Sequence, residues 1–365
     1  MIQTPRRVRA SFHPLVVSAI EQLTPHARAV SFTCPPELAE EYRYQPGQHL
    51  TVRRIVDGEE VRRSYSICAV PRDGDVVPTL RVAVAHVPGG LMSTYLTEQL
   101  EVGDELEVMP PLGTFTCPAL PELARHHVAF AAGSGITPVL SLIGSALGRE
   151  PLSRVTLVFG NRNAESIMFL EELEDLKNRY PARFHLVTVL SREEQDAELF
   201  SGRLDADRIR RILEVVIPPA TVDEWYLCGP LGMVEAAQEV LAEVGADAAH
   251  VHHEIFHAED SGPSVVVDTS APPEAVVTVT LDGRRTVVEM PTKAESILAA
   301  TLRGRPDAPY SCTGGMCGTC RARVVDGEVT MTKNYALEPD EIAKGIVLAC
   351  QAHPVTDRVT LDYDA

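Results

Sequence analysis

"SCTGGMCGTC", residues 311–320, carries three of the chain's eight cysteines, and a fourth, Cys350, follows thirty residues later in "VLACQAHP". The spacing Cys312-x4-Cys317-x2-Cys320 with a distant Cys350 is one that holds a [2Fe–2S] cluster. Two irons bridged by two sulfides need four thiolates, and a tight loop must present three of them. Gly314, Gly315 and Gly318 permit that curvature and leave backbone N–H groups close to sulfur. A structural zinc site is the competing reading, but it more often uses paired Cys-x2-Cys knuckles. The other cysteines (Cys34, Cys68, Cys117, Cys228) are dispersed, and eight in 365 residues is not the density of a disulfide scaffold.

Working outward, the loop sits in a small C-terminal unit, residues 275–365. "AVVTVTLDGRRTVVEM" reads as a hairpin turning at Asp282-Gly283, and "AESILAATLRG" as a short helix ending at Gly304. "RARVVDGEVT" reads as a second hairpin and "RVTLDYD" as a closing strand, an α+β pattern of the β-grasp kind. Before it, residues 258–274 ("HAEDSGPSVVVDTSAPPE" from His257) are rich in Ser, Pro and acidic residues and read as a linker.

Between residues 119 and 257 short β-branched runs alternate with helical patterns. "HHVAFAAGSG", "RVTLVFGNR", "RFHLVTVLS" and "EWYLCGP" are the strands; "AESIMFLEELEDLKNRY" and "LGMVEAAQEVLAEVG" carry the helices. This alternation predicts an α/β, doubly wound parallel sheet. Residues 1–118 instead hold many short strands with turn signals, among them Asp57-Gly58, which predicts an antiparallel β-barrel or sandwich. The fold class is therefore multidomain, with three different modules in series.

Composition narrows the function. A formal charge of −18 argues against a general basic surface for nucleic acid. No run of about 18 apolar residues occurs, so no membrane span is expected, and the basic start lacks a signal peptide's apolar core. A soluble cytoplasmic protein is the expectation.

Three further motifs carry chemistry. "AAGSGITP" follows a strand and opens a helix: Gly133 and Gly135 let backbone approach a pyrophosphate, Thr137 can cap, and Pro138 suits a first helical turn. Taken alone, it is equally a tight turn with no ligand. "RRSYSIC" puts Arg63, Ser64, Tyr65 and Ser66 on one strand, where Arg can neutralise phosphate and Tyr can lie against a flavin ring. "HVHHEIFH" invites a metal, but strand alternation sends His250 and His252 to one face and His253 to the other.

The order "RSYS", "PGGLMS", "GSGITP", "YLCGP", "HEIF" resembles the ferredoxin–NADP reductase superfamily over roughly Phe12 to Phe256, with a plant-type ferredoxin domain after it. "YRYQPGQHL", "GNRNAESIMF" and "NYALEPDE" make the whole chain similar to the phenylacetyl-CoA epoxidase reductases, and steroid-ring hydroxylase reductases share its order. The resemblance implies a flavin barrel over 1–118 binding FAD through Arg63, Ser64, Tyr65 and Ser66, with Gly90, Leu91, Met92 and Ser93 at the pyrophosphate. It implies an NADPH or NADH domain over 119–257, with Cys228 and Gly229 near the nicotinamide and Phe256 closing over flavin. Ser66 and Phe256 are then the residues nearest the chemistry. Arg162 and Arg192, after the second and third strands of that domain, are candidates for a coenzyme 2′-phosphate. The implied partner is a di-iron oxygenase component that receives electrons from NAD(P)H by way of FAD and the cluster. A flavo-iron–sulfur redox sensor without turnover is the rival of another class.

Overall fold

Six strands open the chain: β1 (His13–Thr24), β2 (Ala27–Thr33), β3 (His49–Val56), β4 (Glu59–Ser66), β5 (Leu80–Ala85) and β6 (Glu105–Leu112). They lie in the order β4-β3-β6-β1-β2-β5, and a bridge between Ile67 and Val82 closes the two ends into a barrel. Alternation turns Leu15 and Val17 of β1 inward with Leu50, Val52, Leu106 and Val108, while Pro14, Val16 and Ser18 of β1 face solvent. Tyr42 is fully buried there, its OH donating to the Val108 carbonyl at 2.7 Å. The computed structural model describes residues 11–56, 58–71, 74, 76–257 and 272–365. Asp57 lies outside them, but Gly58 has φ 85° and β3 neighbours β4, as the turn signal predicts.

The second module is a five-stranded parallel sheet of β7 (His126–Ala132), β8 (Arg154–Asn161), β9 (Phe184–Leu190), β10 (Glu224–Pro230) and β11 (Val251–His257). Its order, β11-β10-β7-β8-β9, runs outward from β7 one way and then returns to build the other. Open α/β sheets take ligands at such a reversal, beyond the C-terminal ends of the strands. Between the short helix α1 (Leu91–Thr94) of the barrel and the sheet's other helices comes α2 (Ile136–Arg149), which directly follows β7. It is buried along Ile136–Leu147 because it has two apolar faces to cover. One packs on Leu157 and Phe159 of the sheet; the other meets Cys68 and Phe115 of the barrel module, where Ser141 Oγ donates to the Ala69 carbonyl.

Helices α3 (Leu170–Arg179), α4 (Ala206–Val215) and α5 (Leu231–Glu243) complete this unit. The helix expected from Ala164 begins only at Leu170. Asn163 caps a single turn over Ala164–Ser166, and Phe169 then takes a left-handed φ of 60°. Ile167, Met168 and Phe169 are all buried, and three consecutive inward side chains do not fit one helix face.

A separate compact unit centres on the C-terminal module. β12 (Ala275–Leu281) and β13 (Arg284–Met290) form the expected hairpin, with Asp282 and Gly283 both at positive φ (54° and 69°). That is the mirror-image turn a two-residue hairpin requires. Helix α6 (Ile297–Gly304), capped by Ser296, packs on a sheet ordered β13-β12-β18-β14-β16, with β14 (Arg321–Asp326), β16 (Ile346–Leu348) and β18 (Arg358–Asp362). Helix α7 (Pro339–Ala343) precedes β16.

"RARVVDGEVT" is not a hairpin. Both edges of β14 are taken, by β16 and β18, so β15 (Val329–Met331) has no place beside it and pairs instead with β17 (Ala352–Pro354). Gly327 (φ 86°) makes the departure: a Cβ there would stand 2.4 Å from the Arg358 carbonyl oxygen. Of the expected linker, residues 258–271 lie outside the described residues, and Glu274 already belongs to the module through its N–H bond to the Met290 carbonyl. Among the described residues no helix is long and apolar enough to cross a membrane.

Candidate flavin, nicotinamide and iron–sulfur sites

Strand β4 ends in the Arg63–Ser66 motif. Alternation sets Arg63, exposed, and Tyr65, half-buried, on one face, with Ser66 on the other at 3% exposure. Ser66 Oγ donates to Glu254 Oε2 at 3.4 Å, and Glu254 Oε1 lies 3.9 Å from His49 Nδ1. The barrel thus touches the parallel sheet at β11 through a Ser–Glu–His series. Neither Glu254 nor His49 stood out in the sequence, although a carboxylate enclosed by "HEIF" in a strand is a signal worth reading.

The "PGGLMS" turn places Gly90 immediately before α1. Met92 and Ser93 are buried, and Ser93 Oγ bonds back to Val87 and to the Gly90 carbonyl. A Cβ on Gly90 would fall 2.6 Å from that hydroxyl. This turn therefore offers a ligand its first-turn N–H groups rather than the Met92 or Ser93 side chains.

On the parallel sheet the structure brings two motifs together. Gly135 lies so close to β10 that a Cβ would stand 2.1 Å from the Cys228 carbonyl oxygen and 2.9 Å from the Gly229 nitrogen. Gly133, at φ 54°, has nothing among the described residues within 4 Å of where its Cβ would be, so the space over the turn is open. Thr137 does not cap: it is inside α2, and its Oγ1 donates to the Ser134 carbonyl at 2.9 Å. Pro138 is likewise buried in the first turn. Cys228 is 0% exposed, and burial, with Glu254 nearby, pushes its thiol well above the ordinary range, so it offers backbone rather than a reactive sulfur.

Phe256, half-buried at the end of β11, packs against the same core as α2. Arg162 and Arg192 are both exposed and adjacent, the Arg192 N–H donating to the Arg162 carbonyl at 2.7 Å. His250 and His252 do share a face, and both reach the carboxylate of Glu224, at 3.3 and 2.9 Å. His253 meets Gln238 instead.

The four clustered cysteines are held by backbone as the sequence suggests, though Thr313 joins Gly315 and Gly318 at positive φ (53°, 81° and 67°) and Gly314 does not. The Cys317 N–H donates to Cys312 Sγ at 3.3 Å. Contact with Cys317 lowers the Cys312 pKa, and contact with Cys320 lowers that of Cys350. Among the described residues no three such side chains converge as ligands of one metal ion. The donor set itself fits a [2Fe–2S] cluster, whose two irons take four thiolates.

Family models match the three modules in chain order. The family models for an oxidoreductase FAD-binding domain, an oxidoreductase NAD-binding domain and a 2Fe-2S iron-sulfur cluster binding domain match residues 14–117, 130–239 and 279–355. The chain is 41% identical to one of the subunits of the 1,2-phenylacetyl-CoA epoxidase of Escherichia coli (strain K12), covering 97% of this chain and 98% of that one. It is 35% identical to the ferredoxin reductase component of 3-ketosteroid-9-alpha-monooxygenase from Rhodococcus rhodochrous, over 96% of each chain. Phthalate dioxygenase reductase shares the fold, with a TM-score of 0.58 at 22% identity over 96% of this chain and 98% of that one.

These modules in this order define an oxidoreductase that moves electrons from NAD(P)H through FAD to a [2Fe–2S] cluster. The chain belongs to the ferredoxin–NADP reductase superfamily, in its branch of oxygenase reductase components with a C-terminal [2Fe–2S] domain.

Proposed function

We propose that this chain is the cytoplasmic reductase component of a phenylacetyl-CoA epoxidase, delivering electrons to a di-iron oxygenase. The reading rests on the 41% identity that runs through all three modules. FAD, when bound, accepts electrons as a hydride pair and returns them singly to the one-electron cluster. The chain's task is positioning. Arg63 and Tyr65 face the flavin, the Gly90–Ser93 turn takes its pyrophosphate through the N–H groups that follow Gly90, and Ser66, oriented by Glu254, meets the ring edge.

Gly133 and Gly135 hold the coenzyme phosphates, and Gly229 with the Cys228 backbone leaves room for nicotinamide under Phe256. Arg162 and Arg192 favour NADPH by pairing with its 2′-phosphate. Cys312, Cys317, Cys320 and Cys350 hold the cluster. The working domains are 1–118, 119–257 and 275–365, joined by 258–274. The single structural observation behind this scheme is the Ser66–Glu254 bond, which sets the flavin strand against the β10–β11 side of the coenzyme sheet.

The 35% relative supports a second reading, service of a steroid-ring hydroxylase. Reconstitution decides between them. Supplied with NADPH, the protein should support product formation by a phenylacetyl-CoA epoxidase oxygenase at a rate that exceeds its support of 3-ketosteroid 9α-hydroxylation. The reverse preference refutes the epoxidase assignment. A redox sensor without turnover predicts no bleaching of the flavin by NADPH within seconds.

A further inference from the structure

Asn161, the last residue of β8, is 8% exposed, and neither Oδ1 nor Nδ2 has a hydrogen-bond partner among the described residues. An amide buried in this way is destabilising unless something arrives to pair with it. Its position says what arrives. Strand register sets Gly160 beside Ala132, so Asn161 stands level with Gly133, the start of the open turn. A side chain on Gly160 would run into Leu204; alternation therefore sends Asn161 to the opposite face, the one where Phe159 packs with α2.

The sheet also decides which half of a dinucleotide lies there. The Ser66–Glu254 bond draws the nicotinamide end toward β10 and β11, while β8 and β9 lie on the other side of β7. A coenzyme crossing the reversal point lays its adenosine half over β8. A primary amide donates and accepts at once, which matches a ribose hydroxyl better than a phosphate, an acceptor only.

We propose that Asn161 is a binding residue for the adenosine ribose of the nicotinamide coenzyme, its buried amide pairing with the ribose hydroxyls. The assignment rests on the proposed coenzyme role of the Gly133–Gly135 turn. Arg162, one residue on, is exposed and suited to a 2′-phosphate, so the two neighbours divide the labour. Loss of Asn161 weakens both coenzymes, and loss of Arg162 weakens NADPH alone.

The test is calorimetric titration of oxidised holoenzyme with ADP-ribose, NAD⁺ and NADP⁺, alongside urea unfolding. Asn161→Leu replaces the amide with an apolar group of similar size. It should weaken ADP-ribose and both coenzymes by roughly tenfold, the loss of one or two hydrogen bonds, and leave the unfolding midpoint unchanged or raised. With NADPH and ferricyanide, KM should rise while kcat holds. A lowered midpoint with unchanged affinities would mean a structural residue and overturn the proposal. Should the leucine variant fail to fold, Asn161→Asp keeps the acceptor and loses the donor; undiminished ADP-ribose affinity there is equally contrary. Gly133→Ala separates the two levels of inference. If it weakens ADP-ribose and Asn161→Leu does not, Asn161 alone is misassigned; if neither does, the turn is not the coenzyme site.

Discussion

The two edges of the parallel sheet are built on opposite principles. At the N-terminal edge a buried polar network is densely paired. Glu150, 1% exposed, accepts from Arg125, His127, Ser153 and the Leu120 N–H, while Glu224 takes His250 and His252. At the C-terminal edge the same strands end in an open turn at Gly133, a backbone contact between Gly135 and Cys228, and the Asn161 amide, which has no partner among the described residues. Satisfied buried charge holds a fold in place; unsatisfied polarity beside open space is where a ligand is received. If, as proposed, the coenzyme binds at the C-terminal edge, one edge serves stability and the other chemistry, and substitutions should separate the two.

The largest effect should come from Glu150→Ala. It strands Arg125 and His127 without their shared carboxylate, and breaking a buried pair in this way costs roughly 3–5 kcal/mol. Urea unfolding followed by Trp225, the only tryptophan and 2% exposed on β10, measures it. Coenzyme affinity of the folded fraction should be unchanged, and a parallel loss of affinity would erase the distinction between the edges.

Acid should attack the same edge. Burial, then the charge of Arg154, lowers the His126 pKa to about 4. The unfolded chain binds this proton from about pH 6.5. The stability it confers is therefore full above that value and is lost as pH falls toward 4, by roughly 3 kcal/mol. Burial opposes ionisation of Glu150 as well, but its hydrogen bonds prevail and hold the carboxyl at about 2, so its contribution disappears only between about pH 4.5 and 2. His126→Asn should flatten the profile between pH 6.5 and 4; an unchanged slope would place the titration elsewhere.

At the other edge, Gly135→Ala drives a Cβ into the Cys228 backbone and should lower stability by roughly 1–3 kcal/mol, as overpacking does. Flavin reduction by NADPH, followed by stopped-flow absorbance, should slow with it because the Cys228 backbone proposed to border the nicotinamide moves. Ser66→Ala should be the mildest for the fold, no more than about 1 kcal/mol for its one bond to Glu254. Its mark should be about a tenfold slower flavin reduction, and an unaltered rate would remove Ser66 from the site.

Much of this was legible in the sequence because its signals are local. Asp282-Gly283, the Gly-rich turn after β7 and the cysteine spacing each act within a dozen residues, and periodicity alone separates barrel from parallel sheet. What escaped depends on distance. Ser66 and Glu254 are 188 residues apart, and no pattern around either announces the other. β15 leaves its neighbour because a strand from the chain's end already occupies that edge. Phe169 breaks a helix-like pattern because three successive side chains belong in the core. Glu224 gathers two histidines whose shared face was evident, while their common partner was not.

Electrons pass in series from NAD(P)H through flavin and the cluster, and on the proposed function from there to an oxygenase. Cys317→Ser in this 365-residue chain is the decisive variant, with flavin content, the cluster's absorbance and both electron-transfer rates measured on one sample. The [2Fe–2S] spectrum should be lost while FAD stays bound, ferricyanide reduction by NADPH should continue at close to the wild-type rate, and oxygenase turnover should fall to background. Oxygenase turnover at the wild-type rate without the cluster would contradict the serial route.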